Sequence, residues 1–258
     1  MIVIGNIFII LDLCSALVIF LLGYYVFLKD SKRNVNKLFF IFTLALTVIA
    51  ISSVGLRIIG HKPGTAPEKV FESIPKERIH LLLFWNQIGW IGTAFVASIL
   101  LHLTLTIVKK KKLLKEKRYY IFLFYFLSLL FFLWTLPFYY EPWASESLLS
   151  RLFYVLFTIY FIATCFTSFF LLIKEYFTLK SPKEKIKIGY FILGFSIPAL
   201  GAIILDVLIP LVKFREFVGI TYSLYFVTLG YVFIAIGVLR YGLFVDYRAI
   251  LETIFKGL

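Results

Sequence analysis

Residues 79–112 read IHLLLFWNQIGWIGTAFVASILLHLTLTIVKKKK. From 79 to 108 there is no Asp, Glu, Lys or Arg, and the run then stops on four consecutive lysines, Lys109 to Lys112. At 1.5 Å per residue, about 20 apolar residues cross roughly 30 Å of hydrocarbon. The stretch is therefore read as a membrane-crossing helix halted by charge. Its continuous apolar character, without alternation, excludes a strand of a membrane β-barrel.

Outward from this segment the same pattern recurs. Apolar stretches occupy residues 2–28, 38–59, 79–108, 119–138, 148–173, 188–212 and 217–239. With 61% hydrophobic residues the composition is far from that of soluble globular chains. The expected fold is an all-α membrane protein, a seven-transmembrane-helix bundle. It divides into a membrane domain over residues 1–239 and a cytoplasmic exit helix over 240–258. The crossings nearly use up the 258 residues, which leaves no expected room for an extramembrane catalytic domain. The first stretch lacks a basic flank and a small-residue cleavage site, so it is expected to be retained as a helix.

Charge gives the bundle a direction. The formal net charge is +13, and most of the 27 Lys and Arg residues fall in connectors 29–37, 109–118 and 174–187 and in the tail. The alternate connectors mix signs, as in Lys62, Glu68, Lys69, Glu72, Lys76, Glu77 and Arg78. By the positive-inside rule the N-terminus lies outside and the C-terminus is cytoplasmic. The positive charge is thus accounted for by topology, and no nucleic-acid partner is expected. The Lys109–Lys112 run is also expected to meet anionic lipid headgroups.

Polar residues within the apolar stretches are the candidates for chemistry, since a charge at mid-bilayer costs about 2.5–3.5 kcal/mol on insertion scales. Asp12, Arg57, Trp85, Asn86, Gln87, Trp90, Asp206 and Tyr222 all fall toward the outer level. Together they outline a candidate outward-facing pocket with aromatic walls, suited to a small amphipathic ligand. The competing expectation is structural: Arg57, Asn86 and Gln87 are simply wetted by headgroups, or Asp12 or Asp206 pairs with Arg57. Asp206 stands out, being flanked by Pro198 and Pro210, which predict a kinked sixth helix. His102 lies deeper, where a hydrogen bond to a neighbouring helix, with Ser98 one turn away, is the plainer reading. Gly89, Thr93 and Ala97 form a small-residue stripe on the third helix.

Enzyme signatures are missing. There is no G-x-S-x-G, no phosphate-binding glycine loop and no paired-histidine helix. The seventh stretch has no lysine for a retinal Schiff base. His61 and His80 are too widely spaced to predict a metal site, Cys14 and Cys165 sit on different helices, and no cofactor is expected. In the tail, Tyr247, Leu251, Ile254 and Leu258 form one apolar helical seam. That seam suits either an amphipathic helix on the inner leaflet or a dimeric connector.

Two segments carry a resemblance. Trp85-Asn86-Gln87-Ile88-Gly89-Trp90, with Ser98-Ile99-Leu100-Leu101-His102, resembles the third helix of the seven-helix N-terminal region of bacterial and archaeal sensor histidine kinases. Ala235-Ile236-Gly237-Val238-Leu239-Arg240-Tyr241-Gly242-Leu243-Phe244 is similar to that family's seventh-helix ending. The resemblance implies a sensor in the prokaryotic plasma membrane. Its relay residues would include His102, Pro198, Arg240 and Tyr241, and its output would pass through a homodimeric exit helix to a kinase module. No phosphoacceptor or ATP-binding motif lies within this chain, so no catalytic activity is expected of it. Two rival expectations are a small proton- or cation-coupled transporter using Asp12 and Asp206, and a lipid-interacting scaffold subunit.

Overall fold

The computed structural model describes residues 2–59, 76–108, 118–136, 148–202, 204 and 223–241. Among these, the chain is helical and contains no strand. The helices are α1 (Ile2–Lys29), α2 (Asn34–Ile59), α3 (Ile79–Ile107), α4 (Arg118–Thr135), α5 (Leu148–Thr178), α6 (Pro182–Ala202) and α7 (Ser223–Tyr241). A short 3-10 turn, Lys76–Arg78, leads into α3.

Each helix lies on one predicted apolar stretch, although the end of the sixth and the start of the seventh fall outside the described residues, and three helices overrun their stretches by four residues or more. α2 starts four residues before its stretch, α5 runs five residues past its own, and α6 starts six residues early. Main-chain hydrogen bonding does not stop where apolar side chains do, so these helices continue into their polar flanks. Pro182 opens α6, where its missing N–H is no loss. Lys185 N–H then closes the first turn on Ser181 O at 3.0 Å.

Successive helices are antiparallel wherever their contacts fix a direction. Asn36 near the start of α2 meets Val26 near the end of α1, while Arg57 at the far end of α2 meets Asp12. Gln87 and His102 on α3 meet Thr135 and Tyr125 on α4 in reversed order. Trp134 and Phe131 meet Phe153 and Phe157 in the same reversed sense. The end at which α1 and α3 begin is called the upper end below.

α2 and α3 form the centre of the bundle, with α1 on one flank and α4 and α5 on the other; α6 and α7 close the ring against α5 and α1. One apolar core draws Ile19, Phe39, Leu103, Leu172, Phe191 and Ile234 from six of the helices. α4 adds the half-buried Tyr125 at its edge and packs Phe124, Phe131 and Trp134 into a second, aromatic core with Trp90, Phe153 and Phe157. Outward faces are equally apolar: Leu17 and Leu21 on α1, Phe122 and Phe126 on α4, and Phe166, Phe170 and Phe177 on α5 are exposed. Such a surface suits hydrocarbon rather than water. Among the described residues four helices, α1, α2, α3 and α5, are long and apolar enough to cross a membrane, and α4 and α7 contain shorter apolar segments.

Candidate functional site

The strongest electrostatic feature lies between α1 and α2. Asp12 is fully buried, and its Oδ2 accepts hydrogen bonds from Arg57 Nε at 2.7 Å and Ser53 Oγ at 2.8 Å. Ser53 and Arg57 are four residues apart and so share a helix face. In an apolar medium neither charge is stable alone, so the pair forms where the two helices touch.

The opposite face of the same α2 segment holds α3. Ser52 Oγ donates to Trp85 O at 2.6 Å. A side chain at Gly55 would overlap the Trp85 indole, so glycine is what lets that ring lie against α2. Residues 52–57 thus clasp α1 with Ser53 and Arg57 and hold α3 with Ser52 and Gly55.

α3 is fastened to α4 by three polar rungs. At the upper end, Gln87 Nε2 donates to Thr135 O at 3.0 Å and Thr135 Oγ1 donates back to Gln87 Oε1 at 3.1 Å. In the middle, the Ser98 and Ser128 hydroxyls bond each other, and both reach Tyr160 OH of α5, at 3.0 and 2.8 Å. Tyr160 OH also lies 3.2 Å from Phe124 O, to which it donates. The lowest rung is His102 Nδ1 with Tyr125 OH at 3.3 Å. His102 therefore reaches a neighbouring helix as expected, but through Tyr125, while Ser98 serves the middle rung. Tyr160→Phe is expected to destabilise the protein by about 1 kcal/mol, the scale of interhelical hydrogen bonds in membranes. Tyr125→Phe, at a longer and half-buried contact, should shift the melting temperature less. Thermal unfolding of the purified variants measures both.

α6 and α7 are joined differently. Pro198 has no N–H to bond the Gly194 carbonyl four residues back, and that carbonyl meets Gly230 of α7. A Cβ on Gly230 would also lie 2.6 Å from Pro198 Cδ. At this crossing the two helices meet by backbone approach and shape.

The candidate residues therefore separate. Asp12 and Arg57 come together, with Trp85 against the adjoining α2 segment at Gly55. Gln87 turns to α4, and Trp90 is buried against Phe153 and Phe157 of α5. Asn86 is half-buried. Pro198 sits at the α6–α7 crossing, and Arg240 and Tyr241 end α7, where only their helical backbone is described. Asp206, Tyr222, Pro210, Lys109–Lys112 and the tail beyond Tyr241 lie outside the described residues. Gly89 of the small-residue stripe lies against α2 at Ser52, and Gly92, outside the stripe, meets the α2 backbone at Ala45 O.

Sequence reasoning missed Ser53, Ser128, Tyr160 and Asn36. Isolated serines and a tyrosine in apolar helices carry no local signal of a partner on another helix. Asn36 had one clue: an amide just after the Lys29–Arg33 turn. Its Nδ2 donates to Val26 O at 3.1 Å and Asp30 O at 3.0 Å, closing the α1–α2 turn.

Comparison with curated proteins and with solved structures gives no match. A family model, the N-terminal 7TM region of histidine kinase, matches residues 69–245. The match takes in α3 to α7, and with them both segments that carry the resemblance, and it begins after α2. A membrane-type helical bundle that matches this model over more than half its length is a signal-transduction protein; the chain belongs to the family of N-terminal seven-transmembrane regions of histidine kinases.

Proposed function

We propose that the chain is a multi-pass sensor of a prokaryotic plasma membrane, crossing it seven times with the N-terminus outside and the C-terminus in the cytoplasm. It relays a stimulus through α7 to a histidine-kinase-type output. The observation that carries the relay is the contrast in fastening. α3, α4 and α5 are bolted by directional hydrogen bonds, whereas α6 and α7 meet through glycine backbone and a proline ring. A contact made by backbone approach and shape lets two helices change angle or height. The α6–α7 pair is therefore the natural moving part, and the other three helices are its frame.

In this reading the stimulus acts at the upper end or within the bilayer, and a small amphipathic molecule is the ligand class that suits apolar walls with few polar groups. It shifts the bundle only to the extent that it binds one packing of α6–α7 better than another. Residues 242–258 would carry the shift into a homodimeric helix, and Lys109–Lys112 would hold anionic headgroups at the cytoplasmic face. Asp12 is already engaged by Arg57 and Ser53, which favours the sensor over a transporter that needs a free carboxylate.

The test is a fusion of residues 1–258 to a kinase output module. Truncation after Arg240 before the same module should leave membrane insertion unchanged and abolish stimulus-dependent phosphorylation. A truncated fusion that still responds would remove the relay. A fluorescent protein at the C-terminus should mature and a periplasmic phosphatase there should stay inactive; the reverse pattern would overturn the orientation.

A further inference from the structure

Glycines in this bundle mostly mark helices in contact. Gly194 and Gly201 of α6 and Gly230 of α7 leave no room for even a methyl group. Gly189 of α6 is different: it is half-buried, and a Cβ there would meet only Tyr176 of α5, at 3.7 Å. The missing side chain leaves a shallow groove between α5 and α6 instead of a tight crossing. Ile186 and Leu193, three residues before and four after Gly189, share its face of α6 and are exposed. Ile173, one turn before Tyr176 on α5, is exposed as well. The groove is therefore apolar along its length and open to hydrocarbon.

Its lower mouth is polar. Lys185 Nζ of α6 sits over the Tyr176 ring of α5, 6.0 Å from the centroid. That pair bridges two helices, whereas Lys29 over Tyr25, at 5.6 Å, joins residues one turn apart on α1 alone. Tyr176 and Lys185 lie just past the apolar stretches that end at Ile173 and begin at Ile188, the level at which headgroups stand. Glu175 and Glu184 are their chain neighbours and so project about 100° away around each helix. Among the described residues no carboxylate forms an ion pair with Lys185. Lys180, in the connecting turn, is exposed and adds to the positive charge there.

We propose that the α5–α6 groove binds one anionic phospholipid of the lower leaflet, with its phosphate on Lys185 and an acyl chain along Gly189 between Ile173 and Leu193. The occupant follows from the order of chemistry along the groove: a cation at headgroup level, then an apolar channel facing the hydrocarbon. A soluble phosphate would leave the channel unused, and an apolar helix of another protein would bring no anion to the mouth. The site deepens the sensor reading, on which its regulatory meaning rests. α6 carries the crossing with α7 at Gly194 and Pro198, and Gly189 lies on the same helix just below it, so a lipid seated there bears on the pair proposed to move.

Binding is measured on the full chain without any output module, so failure of the site and failure of the relay are told apart. Adding phosphatidylglycerol to phosphatidylcholine nanodiscs should raise the melting temperature of the wild-type chain. Lys185→Gln should weaken the apparent phosphatidylglycerol affinity about fivefold, the worth of one basic residue at a membrane surface. Gly189→Leu, which fills the groove, should remove the rise. Lys29→Gln takes away an equal charge over an equivalent ring and should respond like wild type. Lys185 is half-exposed, so Lys185→Gln should melt like wild type in pure phosphatidylcholine, which separates lost binding from misfolding. An equal loss in Lys29→Gln would reduce the effect to general surface charge, and inorganic phosphate as effective as the lipid would remove the acyl chain from the site. Either result overturns the proposal, as does an undiminished response in Lys185→Gln or Gly189→Leu.

Discussion

Asp12→Leu is expected to destabilise the folded bundle by about 3–5 kcal/mol, the largest loss of any single side chain described above. The size follows from what is left behind. Arg57 Nε has its closest described contact at Asp12 Oδ2, and its side chain is almost as enclosed as that of the aspartate, 7% against 0% exposed. Removing the acid takes the Oδ2 contact away from a guanidinium enclosed in the bundle. Arg57→Leu should be similarly harmful for the mirror reason. The double variant Asp12→Leu/Arg57→Leu should recover most of the loss, because two apolar side chains replace a pair whose mutual attraction mainly offsets its own desolvation. Denaturation of the four proteins in mild detergent gives the coupling directly. If the double variant is as unstable as the sum of the singles, the pair is not the reason both residues are there.

Gly230→Leu should cost about 3 kcal/mol, at the upper end of overpacking penalties, and should lock whatever motion α7 makes. The first atom of the new side chain would already overlap Gly194 O, which is backbone and cannot rotate aside, and Pro198 Cδ lies 2.6 Å away. α6 and α7 would have to separate, and with them the Phe191 and Ile234 contribution to the main core. Gly189→Ala on α6 is the control. Its Cβ would meet only Tyr176 at 3.7 Å, an ordinary contact, so replacing that glycine should be neutral or stabilise by about 0.5–1 kcal/mol. Thermal unfolding separates the two. In a kinase fusion, Gly230→Leu should also fix output at one level while Gly189→Ala leaves regulation intact. Equal behaviour of the two variants would remove the crossing from the relay.

How far the sequence could be read depends on the kind of force involved. Helix positions were legible because hydrocarbon demands long apolar runs, and among the described residues a helix lies on some part of each of the seven stretches. The Asp12–Arg57 partnership was legible only as one of two options, since Asp206 offered the same charge; the side-by-side packing of α1 and α2 brings Asp12 to Arg57, and Asp206 lies outside the described residues. Trp85, Gln87 and Trp90 were grouped by depth, which sequence spacing reveals. Their directions around α3 depend on which helices flank it, and they point to α2, α4 and α5 in turn. The Ser98–Ser128–Tyr160 cluster could not be read at all. Its members are 30 and 62 residues apart, and each alone is an unremarked hydroxyl in an apolar run.

The α1–α2 hairpin is closed at both ends, by the Asn36 amide at its turn and by the Asp12 carboxylate at its open end. For a chain delivered to the bilayer from its N-terminus, this sets an order of events. Arg57 reaches the membrane when Asp12 is already waiting on the preceding helix, so its charge is neutralised by a neighbour synthesised only moments before. The first two helices can therefore partition as one unit, whose entry does not wait for the later five. A defect at Asp12 would then be felt during biogenesis, as a second helix that hesitates at the interface, before any mature bundle exists to be unstable.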